Sequence, residues 1–150
     1  MPQSLASLLI HIIFSTKDRL PFIDAKVEGE LYRYLSSVFV ACESPALKIG
    51  GTTNHVHILC RLSRARPLSD VIEKVKTSSS KWIKMKGATY RKFFWQNGYA
   101  AFSIGQSGVS RLISYMETQK EHHKKRSFQD ELRAFLRNYD VAYDERYLWD

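Results

Sequence analysis

The sequence predicts an α+β fold of the ferredoxin-like type, with an antiparallel sheet, the element order β-α-β-β-α-β and further helices at the C-terminal end. Segments in which apolar and polar residues alternate are typical of strands. Segments with apolar residues at i, i+3, i+4 and i+7 are typical of helices, and the two kinds follow one another in the order of a split β-α-β arrangement. The chain has 150 residues, of which 44% are hydrophobic. That is enough for one core, so we expect one domain over residues 1–150.

The first half of the chain predicts three strands around one helix. The predicted strands are residues 7–15, 46–49 and 54–62. A turn at residues 16–21 follows the first strand. Asp24 is a favourable N-cap for a helix that extends to about residue 42. Gly50 and Gly51 predict a tight turn between the second and third strands.

The second half predicts one more strand among three helices. The predicted elements are a helix over residues 67–86, a strand over residues 99–104, a helix around residues 109–116 and a last helix through residue 136. Ser127 and Asp130 have the spacing of a capping box at the start of that last helix. We expect Tyr147 and Trp149 to anchor the C-terminal tail by burial.

The third strand places two histidines on one face. Successive side chains of a strand point to opposite faces, so His55 and His57 lie side by side, about 6–7 Å apart at the backbone. The opposite face is apolar and requires a core. Two neutral imidazoles at this spacing are suited to one metal ion. The alternative is a structural or solvated histidine pair.

The helix around residues 109–116 carries Tyr115 on the flank of its apolar stripe, with Gln119 one turn later and Arg111 one turn earlier. Tyr115 and Gln119 would offer a phenolic nucleophile and a neutral amide oxygen on one rigid face. The alternative is a boundary tyrosine whose ring packs while its hydroxyl faces water.

Five segments together resemble the single-tyrosine HUH transposases of bacterial insertion sequences that move as single-stranded DNA, including the REP-associated tyrosine transposases. They are residues 12–19, 54–59, 95–104, 115–125 and 143–149. Asn54 departs from the family, since many relatives carry an acidic residue before the first histidine. An amide still hydrogen-bonds a histidine ligand, so we expect activity to survive this difference.

The resemblance implies a metal-dependent enzyme that nicks and joins single-stranded DNA, in one HUH transposase domain. It implies that His55, His57 and Gln119 hold Mg²⁺ or Mn²⁺, and that Tyr115 attacks the DNA and becomes joined to a 5′ phosphate. It further implies a hairpin-containing DNA substrate, no nucleotide cofactor, and a homodimer that can share its active sites between chains.

The charge of the chain favours a polyanionic partner, because the net charge is +8 and the pI is about 9.6. Basic residues alternate with aromatic ones between residues 81 and 95, a pattern typical of a path for single strands. The predicted DNA contacts are Lys17, Arg19, Arg61, Lys81, Lys84, Arg91, Lys92 and Arg111. A solvated basic surface is the alternative.

The cysteines, one short apolar run and the remaining histidines bear on where the chain is located and on which residues act in its site. Two cysteines are too few for a disulfide framework and favour the cytoplasm. The apolar run at residues 8–14 is too short to span a membrane and contains His11, which we interpret as a core or edge histidine. His122 and His123 lie near a helix C-terminus, where cations are favourable, and DNA binding is the alternative role for them.

Several alternatives to a mobile-element transposase exist. One is a domesticated REP-associated transposase. Rolling-circle replication initiators and conjugative relaxases share the HUH chemistry, but they are usually larger and the tail and tryptophan motifs fit transposases better. A non-catalytic nucleic-acid-binding module with a ferredoxin-like sheet would leave both the histidine pair and the Tyr–Gln pair unexplained. A histidine-triad hydrolase requires a third histidine where Leu59 stands.

Overall fold

The structure is a computed structural model that describes residues 2–150, in which four antiparallel strands form one sheet. The strands are β1 (Leu9–Ser15), β2 (Ala46–Gly51), β3 (His55–Arg61) and β4 (Ala100–Ser103). The helices are α1 (Glu28–Ala41), α2 (Leu68–Lys84), α3 (Val109–Glu117), α4 (Gln119–His122) and α5 (Phe128–Asn138). The strand order is β2-β3-β1-β4, with α1 and α2 as the crossover helices. This topology confirms the predicted ferredoxin-like α+β fold.

The two faces of the sheet bury different sets of side chains. Because side chains alternate along a strand, Phe14, Val56 and Ile58 point to the face covered by α1 and α2. On the opposite face Ile13 packs against α5 and Leu59 packs against α3. The histidines of β3 share this second face, so they lie between the sheet and the C-terminal helices. No helix in residues 2–150 is both long and apolar enough to cross a membrane.

The predicted turn at Gly50 and Gly51 is wrong, because both residues belong to β2 and the chain reverses after them. Gly51 has φ 151°, and a Cβ there would lie 2.2 Å from the carbonyl oxygen of His55. A Cβ on Gly50 would lie 2.7 Å from the carbonyl oxygen of Met116 in α3. Both glycines therefore allow close approach of backbone to backbone.

Tyr115 and Gln119 do not lie on one continuous helix, which corrects the predicted geometry. The helix is interrupted at Thr118, between α3 and α4. The Thr118 hydroxyl lies 3.2 Å from the carbonyl oxygens of both Ser114 and Tyr115 and donates to them. Threonine side chains that bond back to the preceding turn in this way compete with regular helix hydrogen bonds.

The last helix begins as predicted, since the Ser127 hydroxyl oxygen accepts from the backbone amide of Asp130 at 3.1 Å.

The C-terminal tail differs from the prediction at Tyr147, one of the two aromatic residues expected to anchor it by burial. Trp149 lies under the guanidinium groups of Arg19 and Arg133, at 5.5 and 5.1 Å from the ring centre. Tyr147 is 64% exposed and lies in a turn closed by backbone hydrogen bonds at the end of the chain. The predicted burial of Tyr147 is therefore wrong.

Candidate metal and nucleophile site

His55 and His57 of β3 are fully buried beneath the C-terminal helices, with ring centres 5.2 Å apart. His55 Nδ1 lies 2.8 Å from Asn54 Oδ1. An amide oxygen only accepts, so Nδ1 donates its hydrogen and Nε2 keeps a free lone pair. Burial lowers the pKa of His55 to about 3, which keeps the ring neutral. Asn54 thus holds His55 in the tautomer that a metal ligand needs.

Two oxygen-bearing side chains face these imidazoles. Gln119 Oε1 lies 3.2 Å from His55 Nε2. Glu131 of α5 places Oε1 3.0 Å from His57 Nε2 and 3.6 Å from His55 Nε2. Gln119 and Glu131 are each 1% exposed. The cluster therefore joins β3, α4 and α5 in a site closed to bulk water.

The donor atoms in this cluster are suited to a divalent cation. The ligand atoms of His55, His57 and Glu131 all lie within 4.8 Å of one another. The Nε2 lone pair of His55 points at two oxygen atoms, and electron-rich atoms at this distance repel unless a proton or a cation lies between them. Imidazole nitrogens together with carboxylate and amide oxygens form a set that accepts several divalent metals.

Glu131 was missed in the interpretation of the sequence. It lies on the same side of α5 as the buried Phe128, Leu132 and Leu136. A carboxylate on the buried side of an amphipathic helix is rare unless it is paired, and this was the available signal. Although burial opposes ionisation, hydrogen bonds from His123, His57 and Tyr115 hold the pKa of Glu131 below its usual range.

Tyr115 of α3 reaches the same carboxylate. Its hydroxyl donates to Glu131 Oε2, and its ring centre lies 6.1 Å from that of His57. Burial first, and then the neighbouring Glu131, raise the pKa of Tyr115 to about 12. The phenol therefore keeps its proton at neutral pH.

A cleft of about 420 Å³ leads to Tyr115. Arg111 and Arg126 line it from α3 and from the segment before α5, and Tyr139 lines it as well. The cleft gives the phenol a path to a ligand outside the closed cluster. Its two guanidinium groups make it suitable for an anion such as phosphate.

Two further histidines belong to the cluster. His11 is fully buried, as the core interpretation predicts, and its Nε2 lies 2.8 Å from His57 Nδ1. Burial lowers the pKa of His11 to about 3. His123 Nε2 lies 3.2 Å from Glu131 Oε1. His123 therefore has a specific partner in addition to its place near a helix end.

The predicted DNA contacts are divided among several places. Lys81 and Lys84 line a groove of about 590 Å³ between α2 and residues 94–99. The Lys84 ammonium lies 4.0 Å from the ring centre of Phe94, which is 54% exposed. Arg111 lines the Tyr115 cleft. Three predicted DNA contacts are exposed but line neither the groove nor the cleft, namely Lys17, Arg91 and Lys92.

Two of the predicted DNA contacts are engaged elsewhere. Arg61 Nη1 donates to Ser7 Oγ at 2.9 Å, at the opposite end of β3 from His55. Arg19 stacks on Trp149. The structure does not bring these two side chains to the groove or to the cleft.

Comparisons with known proteins agree with the resemblance that the sequence motifs indicate. Residues 4–119 match the model of the family described as "Transposase IS200 like". A crystal structure described as a transposase candidate from Deinococcus radiodurans R1 has 17% sequence identity and a TM-score of 0.62, and the match covers 79% of this chain and 98% of the other.

A REP-associated tyrosine transposase, solved bound to a REP hairpin, has 12% identity and a TM-score of 0.62, with 96% of this chain and 90% of the other covered. No curated protein matches this chain. At these identities the two structures support the fold.

Proposed function

Because this chain belongs to the family of IS200-like transposases, we propose that it nicks and rejoins single-stranded DNA through a 5′-phosphotyrosine intermediate and depends on a divalent metal. One observation carries the proposal. The Tyr115 hydroxyl meets the buried His55, His57 and Gln119 cluster through Glu131, and a cleft leads to that hydroxyl. The solved relative that holds a REP hairpin supports a substrate of single-stranded DNA with a hairpin.

The proposed step exchanges one phosphate ester for another. Tyr115 Oη attacks the scissile phosphorus and forms a P–O bond while the bond from phosphorus to the 3′ oxygen breaks. The phenol loses its proton, and the 3′ oxygen ends as a hydroxyl. Because the phosphotyrosine conserves the ester bond, attack by a free 3′-OH rejoins the strand without a nucleotide cofactor.

His55, His57 and Gln119 are proposed to hold Mg²⁺ or Mn²⁺. Such an ion supplies Lewis-acid polarisation of a phosphate oxygen when it is bound. This help is needed because a phenol that keeps its proton at neutral pH is a poor nucleophile. Asn54 contributes by fixing the His55 tautomer.

The DNA is proposed to reach the site along the groove of α2. Gln96, at the groove, donates its backbone amide to the carbonyl oxygen of Ser15 at 2.9 Å, and Ser15 is paired with His55 in the sheet. The groove and the histidines therefore lie at the same end of the sheet. Lys81 and Lys84 would pair with phosphates while bases stack on Phe94.

Phosphate contacts are also proposed for the other basic residues of the predicted set. Arg111 would act in the Tyr115 cleft. Contacts by Arg19 and Arg61 would require them to leave their present partners. The exposed members of this group are Lys17, Arg91 and Lys92.

The proposal also covers the domain organisation, location and oligomeric state of the protein. We propose that residues 1–150 act as one transposase domain in the cytoplasm and that two chains pair as a homodimer. A host-resident, domesticated copy would use the same chemistry. The DNA beside the gene distinguishes the two cases, because a mobile element is flanked by subterminal hairpins at both of its ends.

The test of this proposal is the variant Tyr115→Phe. It removes one oxygen atom, so we expect the fold and the affinity for DNA to be retained while covalent protein–DNA adducts disappear. Adducts on a hairpin-containing single strand are measured by a shift in denaturing gels, with and without Mg²⁺ or Mn²⁺. The exposed Tyr143 provides a matched control as Tyr143→Phe. Adducts at the wild-type rate in the Tyr115 variant would show that another residue is the nucleophile.

A further inference from the structure

We propose that Glu131 is the carboxylate ligand of the divalent ion and that its second oxygen holds the Tyr115 hydroxyl beside that ion. Glu131 lies in α5, beyond residues 4–119, which the family model matches. The proposal rests on the proposed function because it concerns the same site. It adds a residue, and a helix, to the machinery.

The first oxygen of Glu131 occupies the position that a ligand atom requires. Oε1 lies 3.0 Å from His57 Nε2 and 3.6 Å from His55 Nε2, and Gln119 Oε1 lies 3.2 Å from His55 Nε2. Adjacent ligands of an octahedral ion with bonds of about 2.0–2.1 Å are separated by about 3 Å. These three separations of 3.0–3.6 Å are close to the spacing expected of neighbouring ligands of one small cation.

The second oxygen connects the ligands to the nucleophile. Glu131 Oε2 accepts from the Tyr115 hydroxyl and, at 3.0 Å, from Gln119 Nε2. The latter bond turns the amide so that Oε1 of Gln119 faces His55. One carboxylate thus orients a neighbouring ligand and fixes the phenol, while its other oxygen faces the histidines.

The charge of the cluster also favours this assignment. Two imidazoles and an amide are neutral ligands and leave the two charges of a divalent ion uncompensated in a buried site. A carboxylate that is 1% exposed carries a large desolvation cost unless a cation is close to it. Glu131 and the ion would each offset the cost of burying the other.

Helix α5 is held firmly enough to place a ligand. Ser127 caps its first turn, and Phe128, Leu132 and Leu136 pack with Ile13 of β1 and Phe102 of β4. These contacts fix the backbone of Glu131 against the sheet that carries the histidines. A ligand on a packed helix is positioned more accurately than one on a loop.

The experiment measures Mn²⁺ binding to the full chain, by electron paramagnetic resonance of the free ion, without DNA. Glu131→Gln and His57→Ala should each weaken binding at least about tenfold, since even the hydrogen-bond partners of ligands contribute 10–100-fold. Glu121→Gln, an exposed carboxylate of α4, is the matched control and should bind like wild type. Circular dichroism without metal checks that each variant folds.

A variant Glu131→Gln that binds Mn²⁺ like wild type, beside a His57→Ala variant that does not, would overturn the role of Glu131 and leave the proposed metal site intact. If wild type does not bind Mn²⁺ and forms adducts in excess chelator, both the ligand assignment and the metal-dependent function are wrong. A lower thermal shift with Mn²⁺ in a folded Glu131→Gln variant would support the assignment.

The positioning of Tyr115 is tested separately at saturating Mn²⁺. Glu131→Ala should slow adduct formation by about 100-fold, the scale of a misplaced reacting group, while the dissociation constant for DNA stays unchanged. Glu131→Gln keeps an oxygen that accepts from the phenol, so its rate of adduct formation should fall less than that of Glu131→Ala. Equal rates in Glu131→Ala and wild type would overturn the positioning role.

Discussion

The buried polar residues around His55 satisfy one another across large distances in sequence. The members with almost no exposure are His11, His55, His57, Gln119 and Glu131. His11, His57, Gln119 and Glu131 each make a hydrogen bond inside the cluster, and His55 donates to Asn54 beside it. A buried polar group that loses its partner costs about 1–3 kcal/mol. Because the partners depend on one another, a change at one residue is expected to disturb the others.

Removal of single ligands should abolish most of the activity. His55→Ala, His57→Ala or Gln119→Ala each deletes an atom that faces the proposed ion, and we expect DNA cleavage to fall at least about 100-fold. A chelator should stop cleavage by wild type, and added Mg²⁺ or Mn²⁺ should restore it. Cleavage is measured on a labelled single strand. Full cleavage by wild type in excess chelator would contradict the metal-dependent mechanism.

Among the elements, α3 and α5 bring the nucleophile and the carboxylate to the histidine strand. α5 is positioned by its cap and by its apolar side. The C-terminal end of α3 rests on β2, where Gly50 lets the carbonyl of Met116 approach. Tyr115 precedes Met116, so the fit of backbone on backbone at Gly50 also sets the position of the phenol.

The variant Gly50→Ala tests this dependence. Its Cβ would lie 2.7 Å from the carbonyl oxygen of Met116, and backbone cannot withdraw as a flexible side chain can. We expect a loss of about 1–3 kcal/mol of unfolding free energy and slower adduct formation. Gly105→Ala is the control, because its Cβ would meet nothing within 4 Å. The free energies are measured by urea unfolding, and an unchanged Gly50→Ala variant would show that α3 adjusts freely.

Across the whole molecule, the basic groove and the Tyr115 cleft lie on different faces of the sheet. The groove is formed with α2, whereas the cleft lies among α3, β1 and α5. The net charge of +8 favours binding of a polyanion in the groove and in the cleft.

Binding of DNA should depend steeply on salt and favour single strands over perfect duplex. If about 6–10 phosphates are contacted, the affinity falls by about 10³–10⁵ between 50 and 200 mM salt, and a single strand lies near the lower end. Lys84→Ala should reduce the slope of log affinity against log salt concentration by about one, whereas Lys26→Ala, at an exposed lysine, should leave that slope unchanged. Fluorescence anisotropy measures both, and a flat salt dependence would argue against this binding mode.

Mixing two inactive variants tests how the proposed homodimer is arranged. The family resemblance implies sites that two chains can share, in which case the mixture of His57→Ala and Tyr115→Phe chains would recover cleavage. Tyr115 contacts Glu131 of the same chain, however, so we expect the mixture to stay inactive because every site keeps one lesion. Recovered cleavage would show that chains exchange α3 and share their sites. Light scattering with DNA bound measures pairing itself, and a monomer mass would reject the homodimer.

The sequence by itself determined the order of the elements, the two faces of β3 and the histidine pair, because alternation and helical periodicity are local properties of a chain. Helical spacing together with the family motifs added Tyr115 and Gln119. Only the tertiary structure decided that Glu131, 74 residues after His57, enters the same cluster. It also decided that Gly50 accommodates α3, that Thr118 interrupts the helix and that Arg61 lies away from the site. These features depend on which surfaces pack together, and local patterns do not encode the packing of α5 against a strand far away in sequence.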